Sequence, residues 1–321
     1  MRIRQVLCSL DLGSVRGLLM RFYHVVGRGR KPYDPVQVLK AQLLKHLFRV
    51  PSDRRLALLL KKDRRVAEAC GFSCKTPSHG LFTQFRHRLG MDVYEKVFSM
   101  LVGQLLRDGV VEGEVVALDS TAVKAYSQRS LDNKTGKSDG EARVGRGRRG
   151  FVLGYKVHTA CCTRSELPLA FTVEPCNVNE KRCFRPLLKN LKAQGVSFKT
   201  ILADAQYDSE KVRETVREYG AEPIIPYRKS SRIRGALKVG YDFVVHGVKR
   251  LVRLFRKRVC IERVFSRAKE WLLLDSLRVR GLEQAFIQAC LSFSAMLTVA
   301  LTAARQRKPC LIRSIKHYTT Q

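Results

Sequence analysis

Acidic residues are scarce in this 321-residue chain: 28 Asp and Glu stand against 61 Lys and Arg, a formal net charge of +33. An imbalance of that size is far beyond what solubility requires, and it implies a polyanionic partner. Basic side chains facing phosphates release counterions and bind in a strong, salt-sensitive, mostly sequence-independent way, so nucleic acid fits best. A ribosome-associated or membrane-surface protein is the bland alternative. Cysteine pairs at CxxC spacing are also missing. The ten cysteines are scattered, several within apolar runs, which excludes a disulfide framework and suggests reduced core thiols in a cytoplasmic protein. Cys70, Cys74, His79 and His87 do not stand at a standard zinc spacing, so packing is the expectation for them. Long uncharged runs are rare too. The opening "MRIRQVLCSLDLGSVRG" is broken by Asp11 and Arg16, so no signal peptide is expected. The one exception, "AFIQACLSFSAMLTVALTAA", carries Gln288 and several Ser and Thr and has no second span beside it; a buried packing helix is expected, with no membrane partner.

A hydrophobic content of 45% is enough for a sizeable core. In "DPVQVLKAQLLKHLF" Asp34 can cap, Pro35 suits the first turn, and Val36, Leu39, Leu43, Leu44 and Leu47 mark one helical face. A second helix opens at Ser52 and closes at Gly71, and a third ends at Gly90 with Arg86, His87 and Arg88 exposed. A further helix over about 92–108 leads onward. Residues 1–110 thus read as an all-α region. Its basic third helix allows two readings: a helix-turn-helix-like DNA-binding unit, with Arg86 and Arg88 on DNA, or a packing domain with a basic surface.

From residue 114 the period changes. "EVVALDSTAV", "FVLGYKVHTACC" and "LPLAFTVEP" are β-type runs, followed by helix, strand, helix and strand. That order predicts an α/β domain over 111–304, a ribonuclease-H-like mixed sheet flanked by helices, with a basic tail at 305–321. The glycine-rich segment at about 127–150 is expected to be a flexible loop. Asp119 follows "VVAL" and Asp204 follows "TILA", each an acid ending an apolar run, where a charge is costly unless compensated. A lone acid there is more simply a turn or cap residue. In the predicted sheet, however, the two strands are neighbours, so both carboxylates could share divalent cations.

The segment "RVCIERVFSRAKEW" sets Glu262 among cations. On a continuous helix Phe255, Arg258, Glu262 and Lys269 fall on one stripe beside an apolar seam of Ile261, Val264, Ala268 and Leu272. The glutamate would sit at the seam's edge, aimed inward, completing a three-carboxylate site. The alternative is a surface glutamate paired along its own helix. Between residues 226 and 281, 16 Lys or Arg face 4 Asp or Glu, which suggests a DNA track including Arg263 and Arg267.

These segments resemble prokaryotic insertion-sequence transposases of the DDE type, in the superfamily of IS-four-like and IS-five-like elements. "YDPVQVLKAQLLKHLF" through "FRHRLG" looks like their helical amino-terminal domain. "ALDSTAV", "GYKVHTACC", "LPLAFTVEPCNVNE" and "LADAQYDS" look like their catalytic core. Arg258, Glu262 and Lys269 stand at the spacings of that family's Tyr, Arg, Glu, Lys signature, with Phe255 in place of the Tyr. The resemblance covers about residues 33–304 and implies a DNA transposase. Two Mg²⁺ ions about 4 Å apart, or Mn²⁺, would be held by Asp119, Asp204 and Glu262 for in-line displacement at phosphorus. Arg258 and Lys269 would hold phosphates. Implied partners are the element's terminal inverted repeats, target DNA and a second copy in a homodimer. A ribonuclease-H-like nuclease, an inactive or domesticated DNA-binding derivative and a structural basic protein are the rival readings.

Overall fold

Local rules start most of the amino-terminal helices. The computed structural model describes residues 2–8, 12–23, 31–73, 75–147, 150–227 and 249–319. It opens with α1 (Arg2–Cys8) and α2 (Gly13–Met20). In α3 (Pro35–Leu47) the Asp34 side chain accepts from the Val36 N–H at 3.0 Å, and Pro35 occupies the first turn, where its missing N–H costs nothing. The Ser52 hydroxyl accepts from the Arg55 N–H at 3.3 Å to start α4 (Asp53–Lys62). The sequence suggests one helix through to Gly71, but the chain breaks at Asp63. Its carboxylate caps a separate α5 (Arg64–Cys70) by accepting from the N–H groups of Arg65 and Val66. A short acid that can satisfy two orphan donors at once favours a new start over continuation. Gly71, at φ 98°, terminates α5. The long α6 (His79–Arg107) bends at Gly90, whose φ of 66° interrupts the helical path.

The sheet follows. It contains β1 (Val115–Lys124), β2 (Arg143–Gly147), β3 (Gly150–Cys162), β4 (Pro168–Pro175), β5 (Thr200–Leu202) and β6 (Glu222–Ile224). Its order is β2-β3-β1-β5-β6, with β4 also pairing β3 beyond β2. β3 runs antiparallel to β1 and β4, while β1, β5 and β6 are parallel. Taking β4 as the edge, this is the ribonuclease-H arrangement of three antiparallel strands followed by two parallel ones. Helices α7 (Phe184–Ala193) and α8 (Glu210–Glu218) make the crossovers, and α9 (Lys249–Arg256), α10 (Val259–Trp271), α11 (Leu282–Arg305) and α12 (Ile315–Thr319) complete the chain.

The segment expected to be a flexible loop is folded instead. Arg143–Gly147 is strand β2, and isolated bridges join Arg129 to Gly136 and Thr135 to Arg143. Buried Asp139 pins it, accepting from the Tyr155 hydroxyl at 2.8 Å and from the Ala142 N–H at 3.3 Å. Composition sees the glycines there; it does not see the tyrosine sixteen residues beyond Asp139.

The uncharged run forms α11, buried along nearly its whole length. It is long and apolar enough to cross a membrane, yet it packs against α6, α3 and β4. The helical region and the sheet therefore share one core. Cys70, Cys161, Cys162, Cys176, Cys183, Cys260, Cys290 and Cys310 are unpaired thiols, and all but Cys310 are buried. Cys161 on β3 and Cys260 on α10 approach to 3.4 Å between sulfurs. Cys74 lies outside the described residues, as does 228–248 of the basic stretch read as a DNA track.

Candidate active site

Asp119 stands in the middle of β1, with five strand residues after it, where the sequence places it at a strand end. The parallel pairing with β5 stops at Ala117 and Leu202, so β5 falls away just before Asp119 and leaves its side chain at an opening in the sheet. Asp204 lies immediately beyond that stop. It caps the short 3₁₀ turn Ala205–Tyr207, accepting from the Gln206 N–H at 2.9 Å. The two aspartates are thus brought to the same place by adjacent strands, as the sequence order predicts.

Burial pushes the Asp119 carboxyl up to about 7; the nearby charges of Asp204 and Glu180 add to this, while the Ser120 N–H, at 2.7 Å, and Arg258 work against it. Asp204 is also raised, first by burial, with Arg258 opposing and Glu180 adding. Poorly solvated carboxylates that raise one another at one spot make this a candidate functional site.

Glu262 comes to the site on the first turn of α10. The predicted stripe is not continuous: Phe255 belongs to α9, the chain turns at residues 257 and 258, and Arg258 is the amino-terminal cap of α10. Glu262 is not aimed inward either, since its side chain is 52% exposed. It is tied to the sheet through Arg258, whose Nη1 lies 3.5 Å from Asp119 Oδ2 and whose Nη2 lies 3.7 Å from Glu262 Oε1. A guanidinium's fixed width puts those two carboxylates within about 10 Å of each other. Among the described residues no three ligand side chains are already gathered as a metal cage.

The remaining predicted contacts divide. Lys269 Nζ donates to the Ala122 carbonyl on β1 at 2.9 Å and sits 3.6 Å from Asp275, so it lies on the site's strand. Arg263 and Arg267 instead converge on Glu166 in the β3–β4 turn: Arg263 Nε donates to Glu166 at 2.9 Å, and Arg267 Nη1 lies 3.4 Å from it. Arg86 is buried, where exposure was expected. It pairs with Asp53 at 2.7 Å and donates to Gln284 at 3.1 Å, which leaves it no face for DNA in this arrangement. Arg88 is exposed, with its guanidinium 4.8 Å from the Tyr23 ring centre.

Sequence reasoning missed Glu180 and Tyr207. Glu180 opens a 3₁₀ turn after β4; its carboxylate takes a hydrogen bond from Lys156 at 2.8 Å and one from the Ser120 hydroxyl at 3.3 Å. It follows a loop and not an apolar strand, so the signal that marked the aspartates was absent. Tyr207 is fully buried, and its hydroxyl has no partner among the described residues. Burial, then the charges of Asp119, Glu180 and Asp204, hold its proton on, so all three carboxylates lie within electrostatic reach of one hydroxyl.

The folding units correspond to known sequence families. Residues 2–88 match Transposase domain (DUF772), and residues 112–298 match Transposase DDE domain, a span that includes Asp119, Glu180, Asp204 and Glu262. Among solved structures the chain is similar to a piggyBac transposase synaptic complex with hairpin DNA, at 8% identity and a TM-score of 0.46 over 98% of this chain and 76% of that one. It is also similar to the Mos1 transposase paired-end complex with left transposon end, at 11% identity and a TM-score of 0.24 over 78% and 82%. A Mos1 mariner paired end complex with Mn matches at 14% identity and a TM-score of 0.23 over 79% and 88%. Since the DDE-domain match alone takes in more than half of the residues, the chain belongs to the transposase DDE-domain family and is a DNA transposase.

Proposed function

We propose that this transposase acts on the ends of an insertion sequence of the IS-four-like and IS-five-like superfamily, with Asp119, Asp204 and Glu262 as the residues that hold its divalent cations, Mg²⁺ or Mn²⁺. DDE transposase domains use divalent metal ions. The donor set fits such ions: carboxylate oxygens are the ligands of hard cations, and the carboxyls of Asp119 and Asp204, raised first by burial and then by neighbouring acids, support a place where a cation would be favoured. When bound, paired divalent cations activate an attacking oxygen and neutralise charge on the leaving 3′ oxygen.

The chain's own groups do the rest. Asp119 and Asp204, on neighbouring strands, fix the floor of the cleft. Arg258 hands its guanidinium from Asp119 and Glu262 to a phosphate of the incoming strand, a bidentate match that a carboxylate occupies in the absence of DNA. Lys269, held over β1, offers a second cation next to the scissile phosphate. Water attack frees a 3′-OH at the element end, and that hydroxyl then attacks target DNA; no protein nucleophile is required. Arg88 and the basic face of α9 extend the track, and two copies of the chain pair the two ends.

The observation that carries this reading is the single Arg258 guanidinium touching both Asp119 and Glu262, because it brings the α10 acid to the β1 acid. The test uses duplexes carrying the inverted repeats read from the DNA flanking the gene. In Mg²⁺ the parent should nick them to leave a 3′-OH, while Asp119→Asn, Asp204→Asn and Glu262→Gln should bind without nicking. Nicking by Asp204→Asn at the parental rate would remove Asp204 from the ligand set.

A further inference from the structure

Behind the two aspartates lies an ion pair with no role in the reading above. Lys156 on β3 and Glu180 after β4 are 2.8 Å apart, with side chains only 11% and 13% exposed. Burying two charges is expensive, and an apolar pair of similar size would usually serve stability as well. Their position is more telling than their burial. Glu180 accepts from the hydroxyl of Ser120, the residue next to Asp119. With the Gln206 amide turned to present its nitrogen, Glu180 also accepts from Gln206 at 2.6 Å, two residues beyond Asp204. One carboxylate thus grips the neighbours of both aspartates. Lys156 stands opposite Ala122 in the β1–β3 register, on the same sheet face as Ser120. His158, opposite Ser120, is buried with neither ring nitrogen bonded among the described residues.

We infer that Glu180 and Lys156 are positioning residues that set the divalent-cation affinity of the Asp119–Asp204 site, Glu180 by adding negative charge beside it and Lys156 by cancelling that charge. The inference rests on the metal assignment proposed above. Its distinguishing consequence is one of sign. Removing Lys156 leaves Glu180 unneutralised beside the aspartates, so the site attracts cations more strongly. Removing Glu180 takes away that negative charge and leaves the Lys156 ammonium without its partner, so the site holds cations less tightly. A pair serving only to hold the fold would, on losing either member, loosen the site and weaken cation binding both ways. The geometry places Glu180 with the aspartates and not on a separate surface, because its carboxylate takes hydrogen bonds from the Ser120 hydroxyl at 3.3 Å and, with the amide turned, from Gln206 at 2.6 Å.

The experiment measures equilibrium Mn²⁺ binding to the full chain by electron paramagnetic resonance of the free ion, with a thermal melt on each variant. Lys156→Met should tighten binding by roughly tenfold and Glu180→Gln should weaken it by roughly tenfold, the scale of one unit charge in a partly buried site. The double variant restores the net charge and should return to within about threefold of the parent. Asp204→Asn is the control for the metal assignment. If Asp204→Asn binds Mn²⁺ like the parent, the metal assignment fails and this inference with it. If Asp204→Asn loses Mn²⁺ while Lys156→Met and Glu180→Gln shift in the same direction or not at all, the metal assignment stands and the tuning role is overturned. Should either single variant melt below the assay temperature, the double variant decides: affinity near the parent supports the inference, and a loss of about tenfold or more overturns it.

Discussion

Arg258 Nη1 lies 3.5 Å from Asp119 Oδ2, so the guanidinium nearest the reaction centre is engaged with a carboxylate assigned to the metals. In the proposed reading a bound cation would take Asp119 and a phosphate would take Arg258, so that each partner of the ion pair would be satisfied. Arg258→Met should therefore bind Mn²⁺ at least as tightly as the parent while cleaving element ends at least about tenfold more slowly, the cost of losing a charge-assisted phosphate contact. Parental cleavage by this variant would leave Arg258 with a purely structural role.

Glu166 anchors α10 from the opposite side. It sits at φ 55° in the β3–β4 turn with its side chain 5% exposed, and it holds Arg263, Arg267 and Arg313. Burial alone would raise its carboxyl, but the arginines win and hold it below the usual range. Glu166→Gln strands these cations and should cost about 3 kcal/mol in urea-induced unfolding. Because the folded-state carboxyl is depressed, its contribution is present above the ordinary carboxylate range and lost as pH falls through the folded value, so parent and variant should converge in acid. Equal midpoints at pH 7 would contradict the anchor.

His46 gives the clearest pH signature. It is completely buried on α3, its Nδ1 lies 2.9 Å from the Leu272 carbonyl, and burial, with the charge of Lys45, pushes its pKa down to about 3 from an ordinary 6.5. The unfolded chain takes up this proton first. Stability tied to His46 is full above pH 6.5 and falls toward pH 3, by up to about 1.4 kcal/mol per pH unit. His46→Gln should flatten the decline in urea midpoint between pH 6 and pH 4, and an unchanged slope would refute this origin.

In the proposed reading Lys269 has a phosphate contact besides its structural bond to β1. Losing its bond to the Ala122 carbonyl should lower the melting temperature by a few degrees, about 1 kcal/mol. Losing its phosphate should also flatten the dependence of log affinity on log salt by about one unit. If Lys269→Ala shows the first effect without the second, Lys269 belongs to the strand alone.

What could be read from sequence was local. Asp34 and Pro35, Ser52, and the apolar run before Asp204 act through neighbours within a few residues, and each did as expected; the run before Asp119 forms a strand that continues five residues past it. The order of strands and helices then placed the two aspartates side by side. Partners far along the chain were not legible. Arg86 looks like a surface cation until Asp53 and Gln284 close over it; Arg263 and Arg267 look like a DNA track until the turn residue Glu166 meets them. Glu180 was hidden for the same reason, as its meaning lies in Lys156, Ser120 and Gln206, all distant in sequence.

The burial of α11 by α3 and α6 on one side and β4 on the other has a consequence for any shortened product of this gene. A polypeptide beginning after residue 110 would retain every acidic residue of the reaction centre, yet it would expose most of a 24-residue helix evolved never to meet water. Such a fragment should aggregate, which light scattering of purified residues 111–321 would reveal.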